Sequence, residues 1–482
     1  MNRLTLLLFG FLALTSCREK VEVSNALYIE HINIIDPDRG LIEDQTVIIK
    51  DGRIIKVVAS KEFAVAGNNN QVVSGEGKFL IPGLWDAHIH FAYMEEVAPR
   101  MFDLFLTHGI TSVRDTGGKI DFVMEWRDKS LALPTEAPRV MIAGPLLDGI
   151  PNVYDGSDPG HPPLSVGLNS TAAVRNQIIK LDSLNVDFLK AYEMLTPEQF
   201  SVVTEMGKQL GLKVTGHVPL SMDVISASNA GLNSMEHMRN LELSCASNAE
   251  ELFNQRKQLL ESGRKLQGGI LRSSIHQAQR QIAVKNYDEN KANEVLDVLA
   301  KNQTWQIPTL ALNTLSGKRP YALPEWQADF QYFPDTTEAR WKSIIDGIVK
   351  TPPSSYDSMY TAWMFAMVKR IHDKGIDMMA GTDSPIGFQM PGPGLHNELA
   401  VFVEAGLTPL EALRTATVNP ARYFNLEQQL GSIREDMWAD LVILDANPLD
   451  NIANTRRINA VIKQGRLFDR EELNRRLEAL KN

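Results

Sequence analysis

Between residues 83 and 382 the chain alternates short apolar runs with longer amphipathic, helix-forming stretches. Eight such runs can be read, at 83–90, 110–115, 139–143, 188–191, 213–217, 234–237, 306–310 and 378–382. Each has the length of a buried strand rather than of a buried helix. Strands separated by helices pair in parallel. Eight parallel strands alternating with helices predict an α/β fold closed as a (β/α)8 TIM barrel, residues 83–430. At 482 residues the chain is too long for one average domain and fits such a barrel with a smaller module beside it.

The two flanks supply that module. Residues 28–35 alternate in polarity, Thr46-Val47-Ile48-Ile49 reads as a strand, and Asp51-Gly52 is a hairpin signal before Arg53-Ile54-Ile55. Residues 440–445 and 460–467 read as further strands. The expectation is a composite β-sandwich module built from 27–82 and 431–482. Two stretches exceed ordinary connections. Residues 246–303 are polar and helix-forming, and 313–376 carry a run of aromatics that includes Trp326, Phe330, Tyr356 and Tyr360. Segments that follow strands lie at the catalytic face of such a barrel, so 313–376 is a candidate pocket wall, or a peripheral insertion packed by its own aromatics.

Residue types that bind metals fall at the predicted strand ends. His88 and His90 end the first, Lys190 the fourth, His217 the fifth, His237 the sixth, and Asp383 follows the eighth. Side chains two apart in a strand share a face, so His88 and His90 can address one centre. Singly these signals are weak, since the chain has ten His. Together, four His, an Asp and a Lys at matched strand ends are hard to produce by packing alone. The formal charge of −10 argues against a nucleic-acid surface.

The arrangement resembles the amidohydrolase superfamily, in its two-metal branch, and within it imidazolonepropionase-like and Xaa-Pro dipeptidase members. The strings that carry the resemblance are Trp85-Asp86-Ala87-His88-Ile89-His90, Val113-Arg114-Asp115, Asp187-Phe188-Leu189-Lys190, Thr215-Gly216-His217, Glu236-His237 and Gly381-Thr382-Asp383, with the tail from Gly431 to Val442. The resemblance implies that His88, His90 and Asp383 bind one divalent ion and His217 and His237 a second. It implies that Lys190 bridges them as a carbamate formed with CO2. Zinc or a similar ion suits neutral imidazole ligands. It further implies hydrolysis of an amide bond in a small substrate, a dipeptide or an N-acyl amino acid, by a hydroxide shared between the ions. Asp383 then serves as both ligand and catalytic proton shuttle. One-metal deaminases of the superfamily place a Glu three residues after the fifth-strand His, where this chain has Leu220, so nucleobase deamination is disfavoured.

Candidate substrate contacts are Tyr192 and Arg239, each two residues past a ligand, and the loop residues Tyr154, His161 and His396. Arg114-Asp115 reads as structural, an internal ion pair or a turn brace. Cys245, with no partner pattern around it, reads as a packing residue. Two alternatives stand beside the main expectation: cleavage of a cyclic amide or lactone at the same site, and a non-catalytic binding lipoprotein.

The N-terminus reads as an export signal. Met1-Asn2-Arg3 is positive, 4–14 is apolar and too short to span a bilayer, and Leu14-Thr15-Ser16-Cys17 resembles a bacterial lipobox. The expectation is a signal peptide over 1–17, a lipid anchor on Cys17, a tether over 18–26, and a membrane-anchored enzyme in the periplasm or at the cell surface. A homo-oligomer is left open.

Overall fold

The computed structural model describes residues 23–62, 67–158 and 160–481. The signal-peptide and Cys17 readings therefore lie outside the described residues, as does most of the tether.

Both chain ends enter one eight-stranded sheet. Its order is Arg466–Asp469, Ile458–Lys463, Leu441–Leu444, Phe79–Pro82, Leu27–Asp36, Gly40–Lys50 and Arg53–Ala59, with Gln71–Ser74 alongside Leu27–Asp36. The two ends meet where Leu441–Leu444 runs antiparallel to Phe79–Pro82. One face buries Leu27, Ile29, Ile32, Ile34, Val47 and Ile49 against Leu441 and Ile443. The switch from odd to even positions after Ile29 follows from a register shift there, where His31 takes a φ of 54°. Asp51 and Gly52, both at positive φ, make the tight turn into Arg53–Ala59.

The central part is mixed α/β with parallel sheets. Leu84–Ile89, Ile110–Asp115 and Arg139–Ile142 form one. Ser165–Gly167, Leu146–Asp148, Phe188–Ala191, Lys213–Gly216, Ser234–Glu236 and Trp305–Ile307 form the other. Residues 377–384 run between the two: Gln306 and Met378 bridge in parallel on one side, and Ile89 and Ser384 on the other. This segment is less regular than the strand expected at 378–382. The Ala380 amide leaves the ladder for the Thr415 carbonyl, and Gly381 lies so close to His88 that a Cβ would sit 2.6 Å from the His88 Cβ. Leu146–Asp148 and Ser165–Gly167 were not anticipated; each is three residues long and carries no alternation to read.

Helices cover these strands as their sequences require. Pro197–Leu210 starts with a Thr196–Gln199 capping box and Pro197 in the first turn, and stops at Gly211 in the left-handed region. It buries Phe200, Val203 and Met206, and Gly207 lets it approach Val214 closely. Residues 246–303 form three helices, Ala249–Ser262, Gly268–Lys285 and Glu289–Lys301. In 313–376 both sequence readings hold for different residues. Phe330 and Phe333 each pack on Trp341 at 5.0 Å between ring centroids, while Tyr356 and Tyr360 line the cavity described below. No helix among the described residues is long and apolar enough to cross a membrane.

Candidate metal centre and active site

Four strands of the parallel sheets, and the 377–384 segment beside them, end at one cavity of about 440 Å3. His88 lies on Leu84–Ile89 and His90 just beyond it. Lys190 lies on Phe188–Ala191, and His217 directly follows Lys213–Gly216. His237 directly follows Ser234–Glu236, and Asp383 follows the irregular segment. All six line the cavity.

His88 Nε2 and His90 Nε2 each lie 3.1 Å from Asp383 Oδ1, and His237 Nε2 lies 3.8 Å from Asp383 Oδ2. The ring centroids of His88 and His237 are 4.6 Å apart, and those of His217 and His237 4.8 Å. His88 Nε2 and Asp383 Oδ1 are buried with no hydrogen-bond partner, although they are this close. Unpaired buried polar atoms are costly and therefore uncommon. Converging donor atoms of this kind suit a shared cation. His88, His90 and Asp383 form a group whose ligand atoms all lie within 4.8 Å of one another, and they could hold a metal ion.

The orientation of the imidazoles fits the same role. Each donates its Nδ1 proton to a fixed oxygen: His88 to Glu236 at 2.5 Å, His90 to the Gly117 carbonyl at 2.8 Å, His217 to Glu193 at 2.6 Å and His237 to Thr309 Oγ1 at 2.6 Å. The Gly117 carbonyl can only accept. The Thr309 hydroxyl donates to the Pro308 carbonyl and so is an acceptor toward His237. With Nδ1 tied to an acceptor, Nε2 is the atom that carries the lone pair of a neutral imidazole, the arrangement that outer-sphere oxygens impose on metal-binding histidines. His237, Thr309 and Asp383 all take positive φ, with values of 58°, 43° and 62°. Such strain in non-glycine residues gathers at functional sites.

Charge is set by burial and by these contacts. Burial takes His217 down to about 3 and His237 well below the usual range, so both rings are neutral ligands at neutral pH. Burial pushes the Asp383 carboxyl up, but the His88 and His237 imidazoles outweigh it and hold it well below the carboxylate range. Burial also pulls the Lys190 amine down to about 8, and its Nζ is buried without a hydrogen-bond partner. Burial opposes ionisation of Glu236 too, yet Arg114 and Lys190 keep it an anion.

The supporting residues were missed in the sequence, apart from Arg114. Arg114-Asp115 was read as an internal ion pair or a turn brace, and the ion pair that forms is between Arg114 and Glu236, at 2.6 Å, bracing the carboxylate that holds His88. Asp115 accepts the amides of Phe91 and Gly117. Asp86 accepts the His88 and Thr382 amides and the Thr382 hydroxyl, tying the first strand to the segment before Asp383. Glu236 precedes His237 in a string already quoted, and Asp86 shares a strand face with His88. Position alone could have flagged these two.

Tyr154, Tyr192 and Arg239 line the cavity, joined by Tyr93, Arg272, Arg280, Tyr356 and Tyr360. Two expected contacts lie elsewhere. His161 does not line the cavity; its Nδ1 meets Asp158 at 2.9 Å and its ring fills the space beside Gly269, bracing the start of the helix Gly268–Lys285. His396 is buried between Thr455 Oγ1 at 2.9 Å and the His108 carbonyl at 3.0 Å, because Pro393–Glu404 turns its ring toward the C-terminal strands. Cys245 is free and buried, and burial pushes its thiol up to about 12.

Residues 357–468 match the model of the Amidohydrolase family. Adenine deaminase 3 of Rhizobium meliloti is 33% identical over 99 residues, 19% of this chain and 17% of that protein. Ochratoxinase of Aspergillus niger is 35% identical over 99 residues, 20% of each. The chain thus aligns with about a fifth of the length of these curated relatives. Solved structures align far more broadly. A Xaa-Pro dipeptidase with methionine bound in its active site superposes with a TM-score of 0.65 at 18% identity, over 92% of this chain and 100% of that one. The bottromycin amidohydrolase reaches 0.69 at 19% identity, over 94% and 90%. Ochratoxinase of A. niger reaches 0.63 at 19% identity, over 92% and 96%. At these identities the likeness establishes the fold.

Proposed function

We propose that this chain is a two-metal amidohydrolase that cleaves an amide bond in a small substrate, a dipeptide or an N-acyl amino acid. The observation that carries the proposal is the set of four imidazoles with Nδ1 tied to oxygen acceptors, gathered with Asp383 and an unpartnered Lys190 amine around one cavity. In this reading the two parallel sheets and residues 377–384 are one closed (β/α)8 barrel over 83–430, and 27–82 with 431–482 are a flanking β-sandwich module.

The donor set fits two divalent ions of the zinc type. His88, His90 and Asp383 would hold one, and His217 and His237 the other. Lys190 would lie between them after its neutral amine adds CO2 and releases a proton, giving an anionic carbamate. Bound there, the ions would act as Lewis acids toward a substrate carbonyl and lower the pKa of water toward neutrality.

The chain's own groups do the rest. Glu193, Glu236, Gly117 and Thr309 fix the tautomer and tilt of the four rings, so that ligand geometry is set before substrate arrives. Asp383, with Oδ1 turned toward the His88 and His90 rings as a ligand atom, would keep its second oxygen to accept a proton from water and pass it to the leaving nitrogen. Tyr93, Tyr154, Tyr192 and Tyr360 wall the cavity and limit water around the reacting bond. Lys190, together with Leu220 at the deaminase acid position, favours amide hydrolysis over nucleobase deamination. Assay of the metal-loaded protein against dipeptides, N-acyl amino acids, lactones and adenine tests this. Cleavage confined to the first two classes supports the reading, and adenine deamination or no turnover at all defeats it.

The reading of residues 1–17 as a lipoprotein signal is a separate proposal. It rests on Leu14-Thr15-Ser16-Cys17. Cys17→Ser would release the protein from the membrane fraction, and an unchanged distribution would refute it.

A further inference from the structure

The cavity carries more fixed positive charge than the proposed metal site needs. Arg239, Arg272 and Arg280 all line it. Arg280 is satisfied: its Nε donates to Glu242 at 3.0 Å, and its guanidinium faces the Tyr360 ring at 5.8 Å. The other two have no carboxylate partner among the described residues. Arg272 donates to the Tyr192 hydroxyl at 3.2 Å and faces the Tyr154 ring at 5.6 Å. Arg239 keeps a buried Nε with no partner at all. A guanidinium cannot shed its proton, so these two half-buried side chains hold their charge at the cavity wall without a counter-ion.

Both groups are held in place. Arg239 lies two residues beyond His237. Arg272 is one helical turn before His276 on Gly268–Lys285, and that helix is keyed to the ligand set. His276 Nε2 donates to Glu193 at 2.8 Å, and the other Glu193 oxygen takes the Nδ1 proton of His217 at 2.6 Å. Tyr192, which receives the Arg272 bond, packs against the His217 ring with centroids 4.3 Å apart. The polar insertion thus delivers a guanidinium to a fixed place beside the ligands. One carboxylate is filled by one bidentate guanidinium. Two guanidiniums on separate elements, neither with a carboxylate, therefore call for two anionic groups.

We propose that the site selects a substrate with two carboxylates on the leaving side, a dipeptide ending in Asp or Glu or an N-acyl derivative of either, with Arg239 and Arg272 each receiving one carboxylate. The proposal rests on the amide-hydrolysis reading for the reaction but not for the binding. The test is calorimetric titration of the metal-loaded protein with N-acetyl-L-glutamate and with N-acetyl-L-glutamine, which differ in one charge and hardly in shape. The acid is expected to bind about tenfold tighter or more, the effect of one charge-assisted pair. One of Arg272→Met and Arg239→Met should bring the acid down to the affinity of the amide, and the other, having lost the carboxylate that both ligands share, should weaken both alike. Equal affinities in the unaltered protein, no binding of either, or full discrimination surviving in both variants would overturn the proposal. Rates on Ala-Glu and Ala-Gln separate the two claims. If both are cleaved equally, hydrolysis stands and the acidic preference falls. If neither is cleaved while the titration still discriminates, the anion subsite stands and the hydrolysis reading fails.

Discussion

Glu193 receives the Nδ1 proton of His217 at 2.6 Å. Its other oxygen meets His276, so this one buried carboxylate joins the proposed ligand set to the helical insertion. Glu193→Ala removes both contacts. It should lower metal affinity by about 10- to 100-fold, the usual effect of losing an outer-sphere partner. Competition with a chelator measures this, and unchanged affinity would show that Glu193 does not orient His217.

Glu236 stands between His88 and Arg114, and both partners are fully buried. Glu236→Ala strands the Arg114 guanidinium in a site that water does not reach. The expected cost is about 3–5 kcal/mol of folding stability, read by denaturant titration. Loss of less than about 1 kcal/mol would mean that the pair adds little.

Burial, with Arg456 and Arg470 nearby, takes His108 down to about 4. The unfolded chain binds that proton near 6.5, so between about 6.5 and 4 the unfolded state holds more protons than the folded one. Stability from this group is complete above 6.5 and falls as pH drops toward 4, by roughly 3 kcal/mol at most. Melting temperature against pH should show the slope, and His108→Asn should flatten it. Parallel curves for the two proteins would count against the assignment.

Cys245 is fully buried, and its thiol is pushed up to about 12. It should stay unreactive toward a thiol reagent at pH 8 in the folded protein and titrate at once in denaturant. Rapid labelling of the native state would contradict its role as a packing residue.

Asp383→Asn keeps the shape of the side chain but removes its capacity to take a proton. Turnover should fall about 10²- to 10⁴-fold, the range of one acid–base group. Metal content measured on the same sample separates loss of the shuttle from loss of a ligand.

What the sequence disclosed and what it hid follow from range. His88 and His90 could be read because strand periodicity is local, and Lys190, His217 and His237 because apolar runs announce where strands stop. Arg272 could not. It belongs to a polar helix whose place over the cavity is decided by His276 on Glu193 and by Gly269 against His161, contacts between residues far apart in the chain. His396 misled for the same reason: it follows the eighth apolar run closely, but its ring is claimed by Thr455, about sixty residues later. The expected strand at 378–382 dissolved into single bridges once the Ala380 amide was drawn to Thr415, a partner no local pattern reveals.

The most direct test of the two-metal site is elemental analysis of the purified protein after loading with zinc and bicarbonate, beside a Lys190→Ala variant. About two divalent ions per chain in the unaltered protein, and a clear loss in the variant, are the expected result. One ion or none in the unaltered protein, or equal loading in both, would contradict the account.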